Sequence, residues 1–573
     1  MIKRFPKAHV LLVIAGAMVA AWIVMLAVLF AIPTGEATFT DVITGNDVSA
    51  EYSIEMSAWR YMLEPFSAFT FTAAANPIGV LVLVSTLYIV ARVVFLLIEK
   101  VVLRVNGKLN RKVEIVMEHA RHVVNFFWKY ALMAVGIGAL VVLIAYITTG
   151  FQPVNNYFMG GILIIAWTLV GALGLKVMYS LATLLVHKFT FRVKIRKAWK
   201  DLPRTSWRYW AHKIPDVLGR EPRYFLSIGL MFLAITYALE SVPLPTRRIV
   251  ATLGPNEYLF DFHVHTWYSD GSLSPEARVD WYIQQGISGA AFTDHDNIRG
   301  WSRAMAYVEQ NRLPFTVIKG EEYTRHDDTP IHLNIFGIDF AIAPEDQASL
   351  GYSDTLYLNV SDMIATVKAN NGFVVVNHYT GWPGWPYTFD QLRDWGVDGF
   401  EVVNGGQVYP LSIRDYCIAN GLACIAGSDE HMNGEVPSFV RVTLNDPSNV
   451  TEIFTTLKAN THDVVVIEPK EEVFPIYVEW GDDDRKYLNG FAAFGNYFAS
   501  MDAGQLASWI AWSCAAYVAF AALVMKVKKT PLETMEAQLV VDPRKRCLLL
   551  KLAPSYRKLM QDTRPGKSST VSA

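Results

Sequence analysis

Six stretches of this chain are long and apolar enough to cross a bilayer, and they constrain the fold before any other feature does. A helix through the hydrocarbon core takes about 20 apolar residues, and segments of that kind run over 9–32, 78–98, 130–148, 158–180, 224–240 and 505–525. The first follows Lys3, Arg4 and Lys7, as a secretion signal would. Its apolar run from Val10 to Ile32 is too long for a signal core, and no small-x-small cleavage site follows. It reads as an uncleaved anchor. The expected organisation is a membrane region over 1–240 with five helices, a soluble domain over 250–470, a connecting segment over 471–503, a sixth helix, and a basic tail over 526–573.

Orientation follows from where lysine and arginine fall between the helices. The loop 33–77 has Arg60 as its one basic residue, against Glu36, Asp41, Asp47, Glu51, Glu55 and Glu64. The next loop is basic (Lys100, Arg104, Lys108, Arg111, Lys112, Arg121, Lys129), residues 149–157 are uncharged, and 187–223 is strongly basic again. The tail adds Lys526, Lys528, Lys529 and Arg544-Lys545-Arg546. This alternation predicts a multi-pass inner-membrane protein with both termini cytoplasmic and the large domain extracytoplasmic, that is, periplasmic. Arg92 and Lys176 fall within spans, each toward the cytoplasmic end, where a long side chain reaches the headgroups.

Between 241 and 503 the composition becomes that of a soluble domain. Short apolar strands alternate with amphipathic helices: Leu259–Val264, a helix over Pro275–Gln285, Gly289–Thr293, a helix over Arg299–Gln310, then strands at Phe315–Lys319, His332–Gly337, Phe373–Asn377, Gly399–Val403 and Ala423–Ala426. Such alternation predicts parallel β/α units, and this many predict a closed barrel. The four cysteines form no CxxC pair, which argues against a zinc ribbon; Cys417 and Cys424 read as buried thiols flanking a helix-to-strand turn. Basic and acidic residues nearly cancel, at 51 and 53, so bulk charge makes no case for nucleic acid.

The chemistry-bearing residues collect at the strand ends. His263-Val264-His265 closes the first strand, where a period of two puts both imidazoles on one face. Asp270 follows in Tyr268-Ser269-Asp270-Gly271, Thr293-Asp294-His295-Asp296 ends the second strand, and Gly320-Glu321-Glu322 ends the third. His332 lies in the fourth, Asn377-His378 ends the fifth, Glu401 and Asn404 close the sixth, and Gly427-Ser428-Asp429-Glu430-His431 closes the seventh. Any one of these histidines is more often structural than a ligand. Six of the thirteen in the chain at or near strand ends, beside Asp270, Glu322 and Asp429, are not explained by chance. Mixed imidazole and carboxylate donors suit Zn, Mn or Fe.

In order, these motifs resemble the HxH, SDG, TDH, GxE, single-His, second-His, ExxN and GSDxH blocks of the PHP family, named for polymerase and histidinol phosphatase. The match covers most of 258–435. The resemblance implies a distorted (β/α)7 barrel of PHP type, in an α/β chain with about six transmembrane helices, and a two- or three-metal cluster that hydrolyses phosphoesters. It implies that His263, His265, Glu322 and Asp429 bind one metal, that Glu322 bridges to a second held by His332 and His378, and that Asp270, His295 and His431 hold a third. Two departures stand out: the second-His block reads His378-Tyr379 where the family usually has His-Pro, and Glu321 is adjacent to Glu322.

Two or three divalent ions a few Å apart lower the pKa of a bridging water toward about 7 and neutralise phosphoryl charge. Asp294, Asp296 and His326 are candidate acids for the leaving alkoxide; Arg299, Arg325 and Asn404 are candidate phosphate contacts. The aromatic loop Trp382–Tyr387 forms either a substrate platform, a membrane-interface contact or a small satellite core. The function expected is a membrane-anchored phosphoesterase acting near the membrane surface, on a lipid-linked headgroup, a nucleotide or a sugar phosphate. The alternatives are a nuclease, disfavoured because the domain lacks a Lys/Arg-dense stripe, and a receptor or transporter-like protein that binds a phosphorylated ligand. No specific nucleic acid is expected as a partner, and oligomeric state is not fixed by the sequence.

Overall fold

The computed structural model describes residues 7–33, 36–75, 77–98, 111–149, 158–186, 205–243, 247–325, 330–342, 358–379, 386–468 and 486–529, with short strands at 104–105, 108–109, 194–196, 538–541 and 548–551. Each expected apolar segment lies in a helix: Lys7–Phe30, Pro77–Ile98, Arg111–Thr149, Phe158–Val186, Trp207–Glu240 and Ala503–Lys529. Five contain windows long and apolar enough to cross a membrane, and the helix over 77–98 has a shorter apolar run, Ile78–Val94. Only 6% to 28% of each long window is buried, so these helices turn most of their apolar surface outward.

Three features of this region depart from the sequence reading. The helices starting at Arg111 and Trp207 run well into stretches that read as basic loops. A further helix, Ala58–Ala75, occupies the loop before the second span. Arg92 also does more than extend toward headgroups: its guanidinium forms a two-pronged pair with Glu221, at 3.0 and 2.9 Å. Lys176 lies 5.4 Å from the Phe126 ring and 5.2 Å from Tyr179.

The α/β domain is built on one mixed sheet. Its strands here are β1 (Thr38–Asp41), β2 (Tyr52–Met56), β3 (Arg247–Ala251), β4 (Glu257–Val264), β5 (Gly289–Phe292), β6 (Thr316–Arg325), β7 (Ile331–Phe336), β8 (Phe373–Val376), β9 (Gly399–Asn404), β10 (Ala423–Gly427), β11 (Ser438–Thr443) and β12 (Asp463–Glu468). The order β4-β5-β6-β7-β8-β9-β10 follows the sequence. The expectation of uniformly parallel units is corrected at β7, which is antiparallel to both neighbours. Only residues 326–330 separate β6 from β7, and a parallel crossover needs a dozen or more. The two ends of the series meet at one bridge, Val264 to Glu430, and through the hydrogen bond from Asp429 N to His263 O at 2.9 Å. No continuous ladder closes them among the described residues, because β11 pairs antiparallel with the first half of β4, Val440 opposite Phe260.

Beyond β11 the sheet continues through β12 to β1, with Thr38 opposite Glu468. Outside this sheet, β2 pairs with β3, Tyr52 opposite Ala251. The segment after the first helix is thus part of the domain, which places that loop and the domain on one side of the helices. The core on both sheet faces is apolar: Phe260, Phe262, Phe336, Phe400 and Phe439 are all fully buried, as are Cys417 and Cys424, which remain free thiols.

Between domain and spans sits a layer formed by the helix over 58–75 and a second helix, Asn489–Ala499. Its polar centre is Glu64, fully buried, which accepts from Arg60 Nε at 2.8 Å, Tyr497 Oη at 2.6 Å and Gln505 Nε2 at 2.8 Å. Glu64→Ala strips a buried guanidinium of its carboxylate, a change that costs about 3–5 kcal/mol. The expected result is a clear fall in the thermal midpoint of the detergent-solubilised chain, with Glu64→Gln losing less; an unchanged midpoint for the alanine variant would refute this role.

Candidate metal centre

The carboxyl ends of the parallel strands and the amino end of the antiparallel β7 bring nine side chains together. His263 and His265 project from the same face of β4 and its continuation, with their Nε2 atoms 3.1 Å apart. Asp429 Oδ1 lies 3.2 and 3.1 Å from these two nitrogens, and Glu322 Oε2 lies 3.4 and 3.2 Å from them. The other Glu322 oxygen, Oε1, is 3.0 Å from His332 Nδ1 and 3.3 Å from His378 Nε2. Asp270 Oδ1 is 3.2 Å from His431 Nε2 and 3.6 Å from His295 Nε2. His295 Nδ1 in turn reaches Glu322 Oε2 at 2.9 Å, joining the groups into one cluster.

These spacings fit divalent cations. Ligands about 2.1 Å from a tetrahedral ion lie roughly 3.4 Å from one another, which is the separation seen here. Three groups have their donor atoms mutually within 4.8 Å: His265, Asp270, His295 and His431; His263, His265 and Glu322; His295, Glu322 and His332. Glu322 Oε2 and Asp270 Oδ1 are buried, and the groups facing them are imidazole nitrogens. A buried carboxylate oxygen is costly unless positive charge, from a protonated imidazole or a bound cation, compensates it.

Backbone and outer contacts set this arrangement. Glu321 and Glu322 point to opposite faces of β6: Glu321 accepts from Ile342 N at 2.7 Å, on the side away from the cluster. His378 and Asp429 have φ of 26° and 51°, the left-handed region that non-glycine residues seldom occupy and that concentrates at functional sites. Two glycines of the motifs are required by close approach: a Cβ on Gly271 would sit 2.6 Å from the His265 carbonyl, and one on Gly427 would sit 2.3 Å from His263 Cβ. Glu401 Oε1 is 2.7 Å from His263 Nδ1, which fixes the ring with Nε2 toward the cluster. His431 Nδ1 lies 2.7 Å from the Asp429 carbonyl, leaving its Nε2 for Asp270.

The remaining sequence candidates divide. Asp294 does not fit a proton donor: it accepts from Thr266 N at 2.7 Å, from Thr266 Oγ1 and from Ser269 Oγ at 2.8 Å, so it shapes the loop that carries Asp270. Asp296 borders the cluster, with φ of 54° and Oδ1 accepting from Thr324 N at 3.0 Å. Asn404 donates to Glu401 Oε2 at 3.0 Å and Asp429 Oδ2 at 3.3 Å, a positioning geometry rather than the phosphate contact expected of it. Arg299 begins the helix after the second strand and stacks 5.8 Å from Tyr268. Arg325 ends β6 opposite Ile331, and His326 lies outside the described residues. Trp382 and Trp385 also lie outside them, whereas Tyr387 is buried against Trp395 and its carbonyl accepts from Tyr379 Oη at 2.6 Å.

Sequence reasoning did not single out Asp261 or Asn377. Asp261 Oδ1 accepts from Ser428 N at 2.9 Å and Oδ2 from Tyr282 Oη at 2.7 Å, locking β4 to the loop that bears Asp429. Asn377 donates to Glu322 Oε1 at 3.0 Å. The signal for Asp261 is its place two residues before His263, on the same face.

Charge is strongly coupled across the cluster. Burial opposes a proton on His263, but Asp429, Glu322 and Glu401 outweigh it and hold the imidazole well above its usual range. Burial likewise opposes charge on His295 and His431; Glu322 with Asp270 raises the first to about 10, and Asp270 with Asp429 raises the second to about 9. Burial raises the Glu322 and Asp429 carboxyls, yet the surrounding imidazoles hold both well below the carboxylate range. His332 goes the other way, to about 4, because burial dominates there. Among the described donors, the side chains of Asp270 and His431 are the most exposed, at 39% and 29%, followed by Asp429 at 21%, against 0% for His263 and His265.

Two curated relatives, each called 5'-3' exoribonuclease Rnm, come from Escherichia coli and Salmonella typhimurium. The first is 33% identical over 81 residues, 13% of this chain and 28% of the relative; the second is 32% identical over 94 residues, 16% and 32%. This chain thus spans about a third or less of the length of those relatives. A solved two-domain protein from Bacteroides vulgatus, described as containing a predicted PHP-like metal-dependent phosphoesterase, matches with 22% identity and a TM-score of 0.30, over 36% of this chain and 64% of that one. Residues 261–376 match the family model of the PHP domain, and they hold six of the nine clustered side chains, His263 through His332, together with the β7–β8 pairing that leads to His378; the chain therefore carries a PHP domain over these residues.

Proposed function

We propose that this chain is a membrane-anchored, metal-dependent phosphoesterase. The observation that carries the reading is Glu322, whose two oxygens each face imidazoles of a separate donor group. That is how a bridging carboxylate is placed between two ions. Two or three divalent ions, drawn from Zn, Mn and Fe by the donor chemistry, would be held by His263, His265, Glu322 and Asp429, by Glu322, His332 and His378, and by Asp270, His295 and His431. Bound there, they supply the Lewis-acid charge that acidifies water and offsets the phosphoryl oxygens.

The chain's own residues do the rest. Glu401 and Asn404 hold His263 and Asp429 in register, so the donors need little reorganisation when substrate arrives. Asp296, beside His295, is the remaining acid candidate among the described residues for protonating the leaving alkoxide. Anchoring rests on five helices of spanning length, and sidedness on the pairing of β1 and β2 with the domain strands, which agrees with the acidic first loop and basic later loops. A nuclease is the second reading, favoured by the name of the two curated relatives. The near balance of charge and the lack of a basic stripe set it behind.

Purified full-length protein loaded with Mn or Zn is expected to hydrolyse a member of a panel of phosphomonoesters, phosphodiesters and oligoribonucleotides. Asp429→Asn should lower turnover by a factor of about a thousand or more, since it removes a donor that also orients two imidazoles. Turnover unaffected by chelator or by this substitution would contradict the metal role; preference for the oligoribonucleotide would move the nuclease reading to first place. Metal uptake should also displace protons. Metal-free His295 and His431 titrate near 10 and 9, so both are charged at neutral pH, and ion affinity should rise steadily as pH increases toward those values. Calorimetry at pH 7.5 in buffers of different ionisation enthalpy checks this: heats that depend on the buffer are expected, and identical heats would refute it.

A further inference from the structure

Resting on the phosphoesterase reading, we propose that the substrate is a phosphoester carried by a membrane lipid and presented to the metal centre from the bilayer surface. The apolar run Leu226–Leu239 ends at Glu240, and the helix end is bonded directly to the loops that bear the exposed donors. Ser272 Oγ donates to the Glu240 carbonyl at 3.0 Å, Asn433 N donates to Glu240 Oε2 at 3.1 Å, and Asn433 Nδ2 donates to the Val242 carbonyl. The two loops are tied to each other by Ser272 N to His431 O at 2.6 Å.

Ser272 and Asn433 each lie two residues from a cluster donor, Asp270 and His431. At roughly 3.5 Å per residue, these donors sit on the order of 10 Å from the end of the apolar helix. The headgroup layer on each face of a bilayer is about 6 Å deep. Asp270 and His431 are also the most solvent-exposed of the cluster donors. The mouth of the site is therefore on the membrane-proximal side, within reach of a headgroup phosphate whose acyl chains stay in the bilayer.

The same loop exposes Trp267 between His265 and Asp270, a side chain that favours the membrane interface. The helix over 58–75, fed by β2 on the same side, exposes Trp59, Met62 and Phe66 at helical spacing. Together these surfaces suit a lipid-covered approach. A freely soluble ester needs neither. In the reaction, one water adds to phosphorus, the ester P–O bond breaks, and the leaving oxygen takes a proton that originates in that water. No oxidant or second substrate enters.

The test uses the full-length, metal-loaded chain in mixed micelles. Phosphatidic acid and phosphatidylglycerol serve as lipid probes, with glycerol 3-phosphate and glycerophosphoglycerol as their water-soluble counterparts. The expected result is a kcat/KM about 100-fold higher for a lipid probe than for its soluble counterpart, from the apolar contacts and local concentration a surface adds. The rate should follow the mole fraction of lipid in the micelle rather than its bulk concentration. Trp267→Ala should lower the ratio of lipid to soluble turnover about tenfold, and Trp267→Phe should restore most of it. Equal or better turnover of the soluble esters would overturn the lipid assignment and leave the phosphoesterase reading standing. No turnover of any probe by protein that holds its metals would overturn both.

Discussion

Five imidazoles stand within 3.4 Å of the single carboxylate of Glu322, and the domain's architecture serves to keep them there. Taking a carboxylate out of water costs several kcal/mol unless charge is returned to it. Without bound cations, protonated imidazoles return that charge, which is why His263 and His295 are held above their usual range and Glu322 below its own. Cations at the same positions would do so with shorter bonds and fixed geometry. The outer contacts make sense in this light. Glu401, Asn404, Asn377 and Asp261 do not add charge to the centre so much as fix the rings and strand ends that surround it.

A second constraint is the junction with the helices. The domain does not hang from its helices on a slack linker; it is bonded to the end of the helix over 207–240 at the loops that also carry Asp270 and His431. From the first loop, β1 extends the sheet beside β12 and β2 pairs with β3, and the Glu64 network joins the layer beneath. Several independent attachments fix the domain's orientation, which anchoring by one helix would not do. That offers a physical reason for more helices than tethering needs.

Much of the site is legible in the sequence because its donors sit at strand ends with a period of two. His263 and His265 share a face for that reason, and the choice of Glu322 over Glu321 follows from the same alternation. The β6–β7 hairpin is not legible, because the strands read at Phe315–Lys319 and His332–Gly337 leave room for a crossover, and it is the extension of β6 to Arg325 that shortens the connection to residues 326–330. Other features have no local signal. The pairing of Thr38 with Glu468 joins residues more than four hundred apart, and Arg92 meets Glu221 across two helices. The role of Asp294 was hidden because an Asp beside a ligand histidine looks the same in sequence whether it reacts or holds a loop.

The proposed bridging role of Glu322 is tested most directly by metal content. The full-length chain and Glu322→Gln would be reconstituted with Zn or Mn, freed of excess ion, and assayed for bound metal by mass spectrometry. With three donor groups meeting at that residue, the account predicts two or three ions per wild-type chain and the loss of at least one from the variant. A wild-type chain that holds no ion, or a variant that keeps the full complement, would contradict it.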